Sequence, residues 1–184
     1  MVTAEELEII QSDDENAKSM LANNQDTSTE ALDKLSEDEG QFVRIRVAAN
    51  VNTLPQTLAK LSTDESEYVR EFVAEHHNTP VETLIALSED RLIVSWVAGN
   101  ANAPMELLNK LSKDEDVFVR ISIAVNPSTR MGLLDTLSRD ADENVRAAVA
   151  KNPITPMHIL DRLSKDDNED VQTVVAEHPS RQKS

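Results

Sequence analysis

The chain has 184 residues, of which 34 are acidic and 18 are Lys or Arg, so its net charge is −16 with His neutral. That length fits one domain of ordinary size, and the acid excess opposes direct contact with nucleic acid or anionic membranes, both of which need Lys/Arg surfaces. The absence of cysteine excludes disulfides, iron–sulfur clusters and thiolate zinc sites; no apolar run approaches the ~20 residues of a membrane span.

In chain order, the acidic start from Met1 to Glu8 lacks the basic-then-apolar layout of a secretory signal, so a cytoplasmic protein is expected. A repeat then dominates. Leu-Ser recurs at Leu35, Leu61, Leu87, Leu111, Leu137 and Leu163, at steps of 26 residues with a single step of 24. Each anchor continues as Ser-x-Asp, giving Asp38, Asp64, Asp90, Asp114, Asp140 and Asp166. A Val-Arg-like pair follows, at Val43-Arg44, Val69-Arg70, Ile93-Val94, Val119-Arg120, Val145-Arg146 and Val171-Gln172, with Val or Ile four positions on and then Ala. A degenerate first unit begins near Ile9, with Ala17-Lys18 in the Val-Arg place. The whole reads as one domain over 1–184: an N-terminal cap 1–35, regular repeats 36–163 and a C-terminal half-repeat 164–184.

Each unit reads as two short helices. In helix A the i, i+4, i+5 apolar spacing makes one buried stripe. Its expected N-caps are Asp14, Gly40, Ser66, Asp90, Asp116, Asp142 and Asn168. The fourth unit lacks two residues before its helix A, which should shorten a loop and spare the helix. Helix A is expected to end at Asn24, Asn50, His76, Asn100, Asn126, Asn152 and His178. Helix B is expected to start at Thr27, Thr53, Thr79, Ala103, Thr129 and Thr155, with capping boxes at Thr27/Glu30, Thr53/Gln56 and Thr79/Glu82. About two turns long, helix B needs its neighbours for stability. The expectation is an all-α solenoid of six to seven two-helix repeats without a β-sheet.

The pattern Asp-x-x-Val-Arg-x-x-Val-Ala-x-Asn-Pro-x-Thr-Pro-x-x-x-Leu-x-x-Leu-Ser-x-Asp, clearest over residues 142–166, resembles the leucine-rich repeat variant family. The resemblance implies alternating α and 3₁₀ helices in a right-handed, HEAT-like superhelix. That family's usual period is nearer 24, and its founding member's iron–sulfur cluster does not carry over to a chain without cysteine.

Several residue columns are candidates for chemistry. Arg44, Arg70, Arg120 and Arg146 form either an anion-binding ladder or structural pairs with the Ser-x-Asp aspartates; they recur together with those aspartates, which favours structure. Asn50, Asn100, Asn126 and Asn152 are expected to close helix A and its turn, since Asn tolerates the left-handed conformation. Acidic clusters before helix A, including Asp64, Glu65, Asp114, Glu115, Asp116, Asp140 and Asp142, form an edge that serves solubility and helix N-termini or docks a basic partner. The rings occupy two columns of helix A: Phe42, Tyr68 and Phe118 with Leu92, and Phe72 with Trp96. They either thicken the core or form a concave partner-binding patch. No His spacing suits a metal, no cofactor motif appears, and a serine repeated six times does not read as a nucleophile. The expected function is a non-enzymatic scaffold binding another protein with a basic patch, or a second copy of the chain. The alternative is an acidic nucleic-acid mimic that occupies a DNA- or RNA-binding protein.

Overall fold

Helices of six to nine residues, joined by junctions of three to six residues, follow one another along residues 1–181, the part of the chain described by this computed structural model. The last three residues of the expected half-repeat 164–184 lie outside the described residues. The chain divides into two compact units, Met1–Ile93 and Val94–Ser184. The first holds α1 (Ala4–Gln11), α2 (Glu15–Asn23), α3 (Thr29–Leu35), α4 (Gln41–Ala49), α5 (Pro55–Leu61), α6 (Glu67–Glu75) and α7 (Val81–Leu87). The second holds α8 (Val94–Gly99), α9 (Met105–Leu111), α10 (Val117–Val125), α11 (Met131–Leu137), α12 (Glu143–Lys151), α13 (Met157–Leu163) and α14 (Glu169–Ala176). Even-numbered helices are the A helices and odd-numbered ones the B helices. No strand occurs among the described residues, as the repeat pattern anticipates.

The same layering recurs in both units. Successive A helices pack on one another, α2 on α4 on α6, and α8 on α10 on α12 on α14, while B helices pack chiefly on the A helices beside them. The A stripe is buried at Val43, Val47 and Ala48, and at the equivalent positions up to Val145, Val149 and Ala150. The B leucines, such as Leu58 with Leu61 and Leu134 with Leu137, close the core from the other side. Each such side chain contributes roughly 1.5–3 kcal/mol by leaving water.

Four local expectations need correction. The threonines before helix B are not its N-caps; Ser28, Leu54, Pro80, Pro104, Arg130 and Pro156 are. Each threonine hydroxyl instead donates backwards to a helix-A carbonyl: Thr53 to Val47 (2.5 Å), Thr129 to Ile123 (2.7 Å) and Thr155 to Val149 (2.6 Å). The back-bond satisfies an orphan carbonyl at the end of helix A, so the three expected capping boxes do not form. One forms earlier, between Thr3 and Glu6 at the start of α1, a helix the repeat spacing does not reveal.

Both helices of every pair are α-helical, so the alternation with 3₁₀ helices does not hold here; helix B closes i→i+4 bonds such as Leu58 N to Leu54 O (3.0 Å). The two-residue deletion in the fourth unit does shorten its helix. Asp90 caps it as expected by accepting from Leu92 N, but residues 91–93 form a turn closed by Ile93 N to Asp90 O (3.2 Å), and α8 has six residues where its equivalents have eight or nine. Finally, α14 ends at Ala176 with Glu177 as its C-cap, one residue before the expected His178.

Candidate interaction surfaces and the polar ladders

The recurring serine terminates helix B. In all six anchors its hydroxyl donates to the carbonyl three residues back, as in Ser36 to Asp33 O (2.6 Å) and Ser138 to Asp135 O (2.7 Å). Two residues on, the aspartate shapes the next turn: Asp64 accepts from Ser66 N, Asp140 from Asp142 N and Asp166 from Asn168 N, each at 2.9–3.0 Å.

The same aspartates receive the arginine fork of the preceding repeat. Arg44 bonds Asp64 through Nε (2.6 Å) and Nη2 (3.0 Å); Arg120 bonds Asp140 at 2.8 and 3.0 Å, and Arg146 bonds Asp166 at 2.7 and 2.8 Å. Arg70 reaches Asp90 at 2.8 Å, and Lys18 stands in for arginine by pairing with Asp38 at 2.9 Å. The remaining arginine nitrogen turns back to its own loop, as Arg44 Nη1 donates to Asp38 O and Glu39 O at 2.9 Å each. One guanidinium thus ties three segments with planar, bidentate geometry. The hydrogen bond from Arg146 holds the Asp166 carboxyl below its usual range. Burial pushes Asp140 up, but Arg120 and the Asp142 amide outweigh it and the net shift is downward. In the fourth unit Val94 replaces the arginine and is buried.

The asparagines form a second ladder, of a kind the cap argument did not anticipate. No described residue has a left-handed conformation; Asn50 is extended at φ −72°, ψ 122°. Its amide nitrogen donates to Ala22 O (2.7 Å) and Asn24 O (2.9 Å) of the preceding repeat, and its oxygen accepts from Asn52 N (3.0 Å). Asn126 and Asn152 repeat the pattern, Asn126 to Ala98 O and Asn100 O, Asn152 to Ala124 O and Asn126 O. The oxygen of Asn100 accepts from Asn102 N (2.8 Å). His76 fills the same place with a ring. Nε2 donates to Asn50 O (2.9 Å), and Nδ1 accepts from Asn78 N (3.0 Å). These polar groups serve the fold.

The acidic edge is smaller than the sequence suggests. Asp64 and Asp140 face inward to arginine, with side chains 7% and 11% exposed, and leave the edge. Asp116 and Asp142 accept from the first-turn amides Phe118 N and Asn144 N. Glu65 and Glu115 stay exposed, and Asp114 is half-buried. Among the described residues no group of three or more His, Asp and Glu is placed to hold a metal.

The rings lie outside the core. Phe118 is 72% exposed, Tyr68 54% and Trp96 40%; Phe42 and Leu92 are also exposed and Phe72 is half-buried. Each unit has its own set: Phe42, Tyr68, Phe72 and Leu92 in the first, Trp96 and Phe118 in the second. The reading in which rings thicken the core between A helices therefore gives way. Two further columns went unremarked in the sequence, half-buried except at the exposed Val125 and Glu75: Val117, Ile121 and Val125 on α10, and Glu67, Glu71 and Glu75 on α6, each at i, i+4, i+8. Departure from the repeat consensus at these positions was the available signal.

No protein-family model matches the chain, and no curated protein does. A solved structure described as a leucine-rich repeat variant with a novel repetitive protein structural motif is similar in fold, with a TM-score of 0.63 and 26% identity, over 92% of this chain and 68% of that one. The resemblance carried by the repeated residues is borne out at the level of fold. No helix among the described residues is long and apolar enough to cross a membrane.

Proposed function

We propose that the chain is a non-catalytic repeat scaffold that binds another protein through the exposed face of its A helices, assisted by the acid-rich loops before them. The observation that supports this most is the exposure of aromatic side chains on helices whose other faces are fully used. Arginine and asparagine tie neighbouring repeats together, and threonine and serine close helix ends within a repeat. The rings have no such role, and exposed aromatic residues are the usual anchors of interfaces. The alternative reading, an acidic nucleic-acid mimic, would rest on the acids that stay exposed along that edge, such as Glu65 and Glu115, since Asp64 and Asp140 are held by arginines. The test compares the full chain with Trp96→Ala and Phe72→Ala by affinity capture with mass spectrometry and by sedimentation. A partner or self-association lost in folded ring variants supports the scaffold; binding indifferent to both rings overturns it.

A further inference from the structure

The first A helix has its stacking flank uncovered. On α4 the stripe residues Val43 and Val47 and the ladder residue Asn50 are buried. Of their equivalents on α2, Ala17 and Leu21 are only half-buried and Asn24 is exposed. Glu15, Asn16 and Ser19 of α2 share a recess with Phe42 and Arg46 of α4. Ala17, Leu21 and Asn24 therefore lie on the opposite flank of α2, turned away from α4. There α1, α2 and the junction to α3 enclose a groove of about 450 Å³ floored by Ile9, Ala17, Met20 and Leu21, and its lining comes wholly from residues 3–27.

Two polar groups on this flank lack the partners that a preceding A helix supplies elsewhere. Asn50 donates its amide to Ala22 O and Asn24 O, the carbonyls at the end of α2. The amide nitrogen of Asn24 has no acceptor among the described residues; only its oxygen is used, by Asp26 N (2.9 Å). The Ser-x-Asp aspartates Asp38, Asp64, Asp90, Asp140 and Asp166 are each held by a Lys or Arg of the A helix before them. Ser12-Asp13-Asp14 repeats that motif, and Ser12 donates to Ile9 O (2.8 Å) as the later serines do. Asp14 accepts from Ala17 N but has no cationic partner among the described residues. Glu5 and Asp26 add negative charge to the groove.

We propose that this flank binds an amphipathic helix of a partner protein, stacked parallel to α2 in the place that an A helix takes within the repeat. Its apolar stripe would cover Ile9, Ala17 and Leu21, an Arg in its first turn would pair with Asp14, and its last carbonyls would accept from Asn24. The repeat itself defines the occupant. Where α2 meets α4, and where α10 meets α12, the earlier helix meets the same three demands at once. A second copy fits poorly, because Arg44, Arg70, Arg120 and Arg146 are engaged with aspartates and α14 has Gln172 in that place. The inference rests on the scaffold reading only in taking a protein partner, and its surface is separate from the rings.

The test uses two fluorescein-labelled, lactam-stapled peptides of equal composition, since so short a helix does not persist unaided. One has Val, Arg, Val and Ala at i, i+1, i+4 and i+5; in the other the Arg moves to i+6, on the opposite side of the helix. Anisotropy titration on the full chain at low salt should favour the first peptide by about tenfold. Asp14→Asn, which keeps a capping side chain, should lose most of that preference. Asn24→Asp, which keeps an acceptor for Asp26 N, should weaken the first peptide about tenfold by setting a carboxylate against its carbonyls. Glu82→Gln, the same charge change as Asp14→Asn but in the first turn of α7, and Trp96→Ala should change neither affinity. A nitroxide at the C-terminal end of the peptide should broaden the Asn24 side-chain amide signal, and one at its N-terminal end should not. Equal affinity for both peptides, indifference to Asp14→Asn and Asn24→Asp, or the reverse nitroxide pattern overturns the proposal. Self-association of the full chain that either variant abolishes overturns it too, by putting a second copy in the groove. If it is overturned while the chain still holds a partner that Trp96→Ala releases, the scaffold reading survives without this site.

Discussion

A single arginine or asparagine in this chain holds more than one repeat, so its removal is felt beyond its own helix. Asp140 accepts two hydrogen bonds from Arg120 in a largely buried setting. Asp140→Ala should cost about 2–3 kcal/mol, most of it from leaving the guanidinium without its partner, measured by urea unfolding. Arg120→Val, which copies the buried Val94, should cost less. Arg–Asp pairing was legible because the two residues recur together; the asparagine bonds were not, because a residue repeated every 26 positions has the same spacing whether it caps its own helix or bonds the preceding one. His76 occupies the asparagine place as a neutral ring, and burial lowers its pKa despite the bond to Asn50 O. A folded-state pKa below the unfolded value near ~6.5 means its contribution is complete above that pH and is lost as pH falls towards the folded value. His76→Asn should therefore lose less stability than the parent between pH 7.5 and 5.5. An identical pH dependence in the two chains would refute this.

Short helices succeed here because the repeat supplies what two turns cannot. Helix B is seven residues long, below the length at which isolated helices persist, and Leu134 and Leu137 hold α11 against α10 and α12. Leu134→Ala should cost about 3 kcal/mol, whereas Met131→Ala, on the exposed side of the same helix, should stay within ~0.5 kcal/mol; thermal unfolding of both variants checks the contrast. Period and apolar stripe made both helices readable, because burial imposes them at every turn. Boundaries were harder. A threonine beside a helix start can cap that helix or bond back to the previous one, and local spacing looks the same in both cases. The residue after it, whether serine, proline, leucine or arginine, takes the N-cap instead. The shortened fourth unit shows the same limit, since Asp90 does cap its turn while the regular helix begins only at Val94.

Over the whole chain, two kinds of surface differ in range. Charge is spread throughout, at −16, while exposed rings are few and local to the A helices. Composition made the first plain and helical phase located the second, but neither names a partner, because exposed residues answer to a second molecule rather than to this fold. The two surfaces should separate in kinetics. Dispersed charge acts at a distance and is screened over about 10 Å at 0.1 M salt, so it governs encounter with a basic partner. Rings act only on contact and govern escape. Raising salt from about 0.05 to 0.5 M should therefore slow association steeply and alter dissociation little. Phe118→Ala should do the reverse and speed dissociation at unchanged association rate. Its stability should stay within ~0.5 kcal/mol of the parent, because Phe118 is 72% exposed. Surface-based kinetics on the identified partner decide the matter: an association rate indifferent to salt removes the acidic surface from the mechanism, and a dissociation rate indifferent to Phe118 removes this ring.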